Sequence, residues 1–320
     1  MKWFQPVAFA CVLAASGQAL AAWPEQPIRI VVPFAAGAMG DNIARLLSDP
    51  LQKELGTPII VDNRPGAGGN IGANAVANAA PDGYTLMMAA TNNLVLNQFL
   101  YSNLGYDPLT KFDPVVMVAD VPAVIFVGGD LPVDTFAQFR ELASSKPGMY
   151  NYSSPGAGTT PHLSAQAISD AYDMQMVHVP YGGAGQAVQA LLAGDVQFYM
   201  GGAGLGAAHV ATGRIKALAV AADKRVSALP NVPTFAEAGL DAVLANNWWA
   251  LAAPAGTPPD IIDKINKAVR QALDTPEIQQ RFDSFGVVAT AGSPADMRAT
   301  LERDAEFWKK AVEDAGVQLN

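Results

Sequence analysis

From Pro27 onward, short apolar runs alternate with stretches that are apolar on one face only. "PIRIVVPF" (27–34) is nearly continuous in apolar residues and of strand length, which predicts a strand covered on both faces. Ile43, Leu46, Leu47, Leu51 and Leu55 then recur at helical spacing, predicting a helix from Asp41 to Leu55 that Pro50 should kink or split. "TPIIVDN" predicts a second strand. "RPGAGGNIGANAVANAAPDG" predicts a glycine-rich turn, a helix and a stop, and "YTLMMAAT" a third strand. The scheme continues beyond "VVMVADVPAVIFVG", a long extended run interrupted by Pro122. There "DTFAQFRELASS" and "TTPHLSAQAISDAY" read as helices, with "YNYSS" between them as a strand. "MVHVPY", "AGQAVQALLAG", "VQFYMGG" and "KALAVAAD" follow as strand, helix, strand and, after a short helix, strand. "NNWWALAAPAG" is again extended and leads to three helices, with Thr257, Thr275 and Ser293 as N-caps ahead of prolines. Met297, Leu301, Ala305, Trp308 and Val312 form one stripe, which makes Trp308 a core residue.

Such alternation argues for parallel α/β architecture. The two long extended runs, Val115–Val127 and Trp248–Ala253, have a joint meaning as two strands crossing between two α/β halves. The chain would leave the first half near Pro122 and return near Ala250.

Composition changes this picture at the N-terminus. Lys2 precedes a short apolar run, Val7 to Ala15, and "GQALAAW" offers Ala19 and Ala21 to a signal peptidase. This reads as a secretory signal peptide cut after Ala21 or Ala22, the alternatives being a membrane anchor or a buried first helix. Cys11, the single cysteine, would leave with it, so the mature chain needs neither disulfide nor thiol chemistry. Without Lys2, 19 basic residues stand against 29 acidic ones, a net charge of −10, and no basic patch suggests nucleic acid. An exported product without a later transmembrane run is expected in the periplasm.

Candidate chemistry centres on two loops with almost no side chain, "PFAAGAMGD" (33–41) and "SSPGAGTTPH" (153–162). Each follows a strand and opens a helix, where α/β proteins bind ligands and where N–H groups attract anions. The plain alternative is that small residues only permit tight turns. Asp41 is expected as the N-cap of the first helix or as a polar group near the ligand. "PGAGGNIG" and "GGAGLGAA" only partly match dinucleotide fingerprints. His162, His178 and His209 are scattered without metal-ligand spacing, and no Ser/His/Asp signature is readable. On a strand, Trp248 and Trp249 point to opposite faces, so one could look into a cleft.

In their order, "WPEQPIRIVVPFAAG", "VDNRPGAGGNIGA", "AAPDGYTL", "SPGAGTTPHL", "VHVPYGGAGQAVQALLAGDVQ", "KALAVAADKRVSALPNVPTFAEAGL" and "WWALAAPAGTPP" resemble the extracytoplasmic receptors of tripartite tricarboxylate transporters, the Bug family. The resemblance implies a type II periplasmic-binding-protein fold: two α/β domains joined by a two-strand hinge, with the ligand cleft between them. Its expected segments are 1–22 signal peptide, 23–121 first domain, 122–249 second domain and 250–320 first domain again. It implies no enzymatic activity, no cofactor and no metal. The expected ligand is a small carboxylate (a di- or tricarboxylate, an amino acid or an aromatic acid), delivered by a monomer to large and small membrane permease subunits. Alternatives are a binding module feeding a membrane sensor, or an exported hydrolase.

The resemblance also implies the site. Phe34, Ala35, Ala36, Gly37, Ala38, Met39 and Asp41 would hold the carboxylate largely through backbone groups and water. Ser153, Ser154, Gly156, Gly158, Thr159 and Thr160 would close on it from the other domain, with Thr91, Asn92, His162, Tyr181, Gly201, Gly202 and Trp248 completing the cleft. Two departures stand out. The family usually has paired glycines where this chain has Gly37-Ala38, and a methyl at 38 would disfavour positive φ. It often has an aspartate at the position of Gly201, whose loss would enlarge the cleft or remove a ligand partner. With Asn92, Asn93 and Trp248-Trp249, these departures suggest a larger or aromatic carboxylate.

Overall fold

A computed structural model describes residues 23–240 and 246–319. The expected signal peptide and its expected cleavage site lie outside them. The chain builds β1 (Ile28–Val32), α1 (Met39–Leu55), β2 (Ile59–Asn63), α2 (Asn70–Ala77), β3 (Thr85–Ala90), α3 (Asn97–Leu100) and β4 (Phe112–Val121). It continues through β5 (Ala123–Gly128), α4 (Phe136–Ser144), β6 (Asn151–Ser154), α5 (Thr160–Ala171), β7 (Val177–Pro180), α6 (Ala184–Ala193), β8 (Phe198–Gly202), α7 (Ala203–Ala211) and β9 (Ile215–Val220). It closes with β10 (Asn247–Pro254), α8 (Pro259–Leu273), α9 (Pro276–Phe285), β11 (Val288–Ala289) and α10 (Pro294–Ala315).

These strands form two sheets, ordered β11-β4-β10-β3-β1-β2 and β7-β6-β8-β5-β9. In each sheet the strand that arrives from the other unit, β10 or β5, pairs antiparallel with both of its neighbours. Two α/β units that exchange one strand after each crossing make the expected type II arrangement. The outward crossing falls between Val121 and Ala123, where Pro122 cannot donate a ladder hydrogen bond.

Both sheets are covered on both faces, which is why their strands read as continuous apolar runs. Along β1, Ile30 and Val32 meet Ile43, Leu47 and Leu51 of α1, while Val31 joins Trp308 and its α10 stripe on the other face. In the second sheet, Ile125 and Val127 face one core and Val124 and Phe126 the other. Leu163 of α5 is buried in the cluster that α10 builds under the first sheet. Helix α5 of the second unit is therefore seated on the first unit.

Several expectations are corrected. Helix α1 begins at Met39 rather than Asp41 and runs through Pro50 unbroken. Thr257 is not an N-cap, because Pro258 takes that place for α8; Thr275 and Ser293 do stand at the N-cap positions of α9 and α10, but only the Ser293 side chain makes a capping hydrogen bond. The return strand lies wholly in the first sheet from Asn247 on, so the last part of the expected second segment, residues 247–249, belongs with the first unit. Its alternating side chains fill the two cores of that sheet and could not also serve as a crossing.

Candidate functional site

The first loop leaves β1 at Val32, between β3 and the edge strand β2. A β-carbon on Gly72 would stand 2.8 Å from Pro33 Cα and 2.9 Å from the Arg64 carbonyl, so this glycine lets α2 close against the strand exit. Phe34 lies edge-on to Trp249, ring centroids 5.3 Å apart, and Ala35, Ala36 and Gly37 are exposed. The loop turns back through Ala38 N–H donating to the Ala35 carbonyl at 3.1 Å, with Gly37 at φ 81°, a conformation that glycine adopts freely.

Side chains from two elements pin that turn. Gly37 N–H donates to Asp41 Oδ2 at 2.8 Å, Asn42 Nδ2 to the Gly37 carbonyl at 3.2 Å, and Asn63 Nδ2 to the Phe34 carbonyl at 3.2 Å. Arg45 Nε reaches Asp41 Oδ1 at 2.9 Å. Burial pushes the Asp41 carboxyl upward, but hydrogen bonds from Arg45, Gly37 and Asn63 outweigh it and hold the pKa below its ordinary value. Asp41 is thus not the N-cap; Ala38 is. Asp41 organises the loop as half of an ion pair, so its charge is already answered by Arg45. What remains for an incoming anion is backbone, since the first-turn N–H groups at Met39 and Gly40 have no acceptor within the helix.

The second loop leaves β6 in the other sheet and is built more tightly. Ser153 Oγ donates to the Ala187 carbonyl of α6 at 3.0 Å. Ser154 Oγ lies 3.1 Å from Gly156 N–H, 3.0 Å from the Gly156 carbonyl and 2.7 Å from His178 Nε2. Thr159 Oγ1 donates to the Gly156 carbonyl at 2.7 Å, and Gly158 N–H donates to His162 Nδ1 at 3.1 Å. Ser153, Ser154, Thr160 and His162 are therefore buried supports, while Gly156, Thr159 and Tyr181 keep part of their surface. Gly158 lies in contact range of Leu100 and Leu319, which brings the loop against the first unit.

Two bare-backbone loops, each at a strand's carboxyl end and each opening a helix, match a receptor architecture. Residues 43–317 match the tripartite tricarboxylate transporter family receptor, TctC. The chain belongs to this family. It is 32% identical to the protein BugT of Bordetella pertussis, over 93% of this chain and 91% of BugT. The structure of Rpa4515 from R. palustris with adipate is 32% identical and superposes with a TM-score of 0.79, covering 92% of this chain and 99% of that one. MatC from Rhodopseudomonas palustris with bound malate is 31% identical with a TM-score of 0.75, over 91% and 100%. As a member of this family the protein is a solute-binding receptor, not an enzyme.

In this receptor several expected cleft residues are engaged elsewhere. Trp248 is buried under the first sheet, its Nε1–H donating to Asp304 Oδ2 at 2.8 Å. Trp249 is buried on the opposite face. Thr91 is fully buried, and its Oγ1 accepts the Trp248 backbone N–H at 3.0 Å. Asn93 turns inward toward the Gly68 carbonyl, and only Asn92 keeps partial exposure. The suggestion of a larger or aromatic ligand loses these supports.

Both departures from the family also read differently in three dimensions. Ala38 has φ −69°, so its methyl carries no backbone penalty. Gly201 does not open the cleft, because Tyr199 fills the space: a β-carbon there would stand 2.4 Å from Tyr199 Oη and 2.6 Å from the ring. That ring is buried and stacked on Phe126. Gly201→Ala is expected to cost about 1–3 kcal/mol in urea unfolding, the range for overpacking. In a Tyr199→Leu background the same substitution should cost little, a non-additivity that identifies the contact.

Sequence reasoning missed Arg45, Asn63 and His178. Asn63 could have been found from topology alone, since β2 pairs with β1 and ends beside its loop. Two of the histidines, scattered along the sequence, converge: the rings of His162 and His178 stack with centroids 3.7 Å apart. Among the described residues no cluster of potential ligands could hold a metal ion, and no helix is long and apolar enough to cross a membrane. A cavity of about 710 Å³ opens at the crossing between the units, lined by Asp120, Asn246, Lys224, Arg225 and Val287 among others, and neither loop contributes to it.

Proposed function

We propose that this receptor captures a small organic carboxylate in the periplasm, between the loop at 34–41 and the loop at 153–160, and passes it to large and small permease subunits. The observation that carries the reading is the pair of loops: each combines exposed small residues with a helix N-terminus, one in each α/β unit. Aligned amides offer positive potential without a buried cation, so an acidic protein can bind an anion at little desolvation cost. The adipate and malate bound by the two relatives support a dicarboxylate as the first class to try.

Thermal shift across mono-, di-, tricarboxylic and aromatic acids, followed by calorimetry on the best, tests this. At a concentration about 100 times its Kd, a true ligand should stabilise the fold by about 2.7 kcal/mol. A folded receptor that responds to none of these acids overturns the carboxylate reading.

A further inference from the structure

Tyr152, His178 and His162 form a stack beneath the second loop. The two imidazoles lie 3.7 Å apart at 19°, and the tyrosine ring is 5.0 Å from His178 at 23°. The stack is anchored at one end and at its middle ring, since Tyr152 Oη donates to Gln166 Oε1 at 2.6 Å and His178 Nε2 meets Ser154 Oγ at 2.7 Å. The loop above depends on its ring nitrogens. Gly158, at φ 72°, has its N–H accepted by His162 Nδ1 at 3.1 Å. That bond requires an unprotonated Nδ1, hence a neutral ring whose proton sits on Nε2.

We propose that His162 is a positioning residue for the ligand loop, and that the neutral state of its ring couples ligand affinity to pH. The inference rests on the second loop taking part in carboxylate binding, as proposed above. Protonation at Nδ1 turns the acceptor of the Gly158 N–H into a second donor, and the bond is lost. It also places a charge face to face with His178, in a site from which water is largely excluded. Burial first, and His178 second, hold the His162 pKa down at about 4; burial alone does the same for His178. The other titratable groups around the stack are Tyr152 from β6 and Asp170, further along α5. Burial raises the Tyr152 pKa first, and the Asp170 charge adds to it; the Asp170 carboxyl is itself raised by burial and by Asp314 of α10.

The sign of the effect follows. A histidine at about 4 when folded and at its ordinary 6.5 in an open chain favours the closed loop above pH 6.5, and that preference is lost as pH falls from 6.5 toward 4. Global stability is a poor reporter of this. Burial, and to a lesser extent the Asp304 and Asp223 charges, lift Asp120 at the crossing to about 7 against the Asn246 hydrogen bond, so acidification below pH 7 strengthens the fold there. The two contributions oppose each other over the same window.

The readout is therefore local. With glycine-selective labelling, exchange of the Gly158 amide is followed in ligand-free protein from about pH 7.5 to about pH 4.5. In the wild type its protection factor should drop about tenfold or more across that range. In His162→Asn the amide oxygen can accept the same N–H without titrating, so protection should stay flat. In His162→Phe it should be low throughout. Adipate calorimetry runs alongside: relative to His162→Asn, which shares the titration of adipate itself, the wild type should lose about tenfold in affinity between the two pH values. A parallel pH dependence of Gly158 protection in wild type and His162→Asn, or full protection in His162→Phe, overturns the proposal. Absence of adipate binding by every form at about pH 7.5 counts against the ligand reading alone, because the exchange measurement still decides the role of His162.

Discussion

Replacing Ala38 with aspartate should lower affinity for any carboxylate ligand by about a hundredfold while leaving the fold as stable as before, or more so. Ala38 is the N-cap of α1, at φ −69° and ψ 165°, and makes no side-chain capping bond. An aspartate there can accept a first-turn N–H, which is worth about 0.5–2 kcal/mol to a helix. The same carboxylate occupies the amides meant for the ligand and repels it. At about 6 Å and an effective dielectric of about 20, that repulsion is about 2.8 kcal/mol, which gives the hundredfold loss. Asp41 does not impose such a repulsion already, because Arg45 Nε holds its carboxylate at 2.9 Å. Calorimetry with the best-binding acid and a urea melt of the same sample check both halves. Undiminished affinity with a capped helix means that the first loop is not the anion site.

Gly40→Val should be the most damaging single change in the first loop. A β-carbon at Gly40 would stand 2.2 Å from Trp249 Cζ3 and 2.7 Å from Cη2, inside the carbon–carbon contact distance. The indole cannot swing aside, because it is buried and meets Phe34 edge-on. Helix propensity favours a residue other than glycine by less than about 1 kcal/mol, whereas overpacking costs about 1–3 kcal/mol or more, so the clash wins. The fold should lose about 2–3 kcal/mol in urea unfolding, and ligand affinity should fall with it, since α1 must move away from the loop it opens. Trp249→Phe combined with Gly40→Val should recover part of the stability. A Gly40→Val protein as stable as the wild type would show that the indole does not lock the loop.

These predictions depend on details that were unevenly legible in the sequence. The alternation of strands and helices, the two bare loops and the Trp308 stripe follow from period and composition, which depend on neighbours in the chain. Asp41 resembles a cap in the sequence, which starts the first helix two residues late. Its carboxylate instead reaches back to Gly37 and sideways to Arg45, and Arg45 is also held by Asn63 from the adjacent strand. The alternation of a strand offers one of Trp248 and Trp249, Trp248, to the cleft. Once β10 is paired between β3 and β4, both faces of that strand are core. Gly201 reads as open space in the sequence, whereas the Tyr199 ring folds over from two residues away and fills it.

By itself, the sequence determined that this chain is an α/β protein with two carboxyl-end loops stripped of side chains, and its motifs carried the family. Those are properties of local period, of glycine's φ and of residue order. Only the tertiary structure decided which polar groups are spent inside the protein and which remain for a ligand. Hydrogen bonds such as Asn63 to Phe34, Trp248 to Thr91 and Gly158 to His162, and the ion pair of Arg45 with Asp41, are satisfied through space. A buried donor or acceptor must find a partner wherever the fold brings one, and a pattern along the chain does not contain that partner.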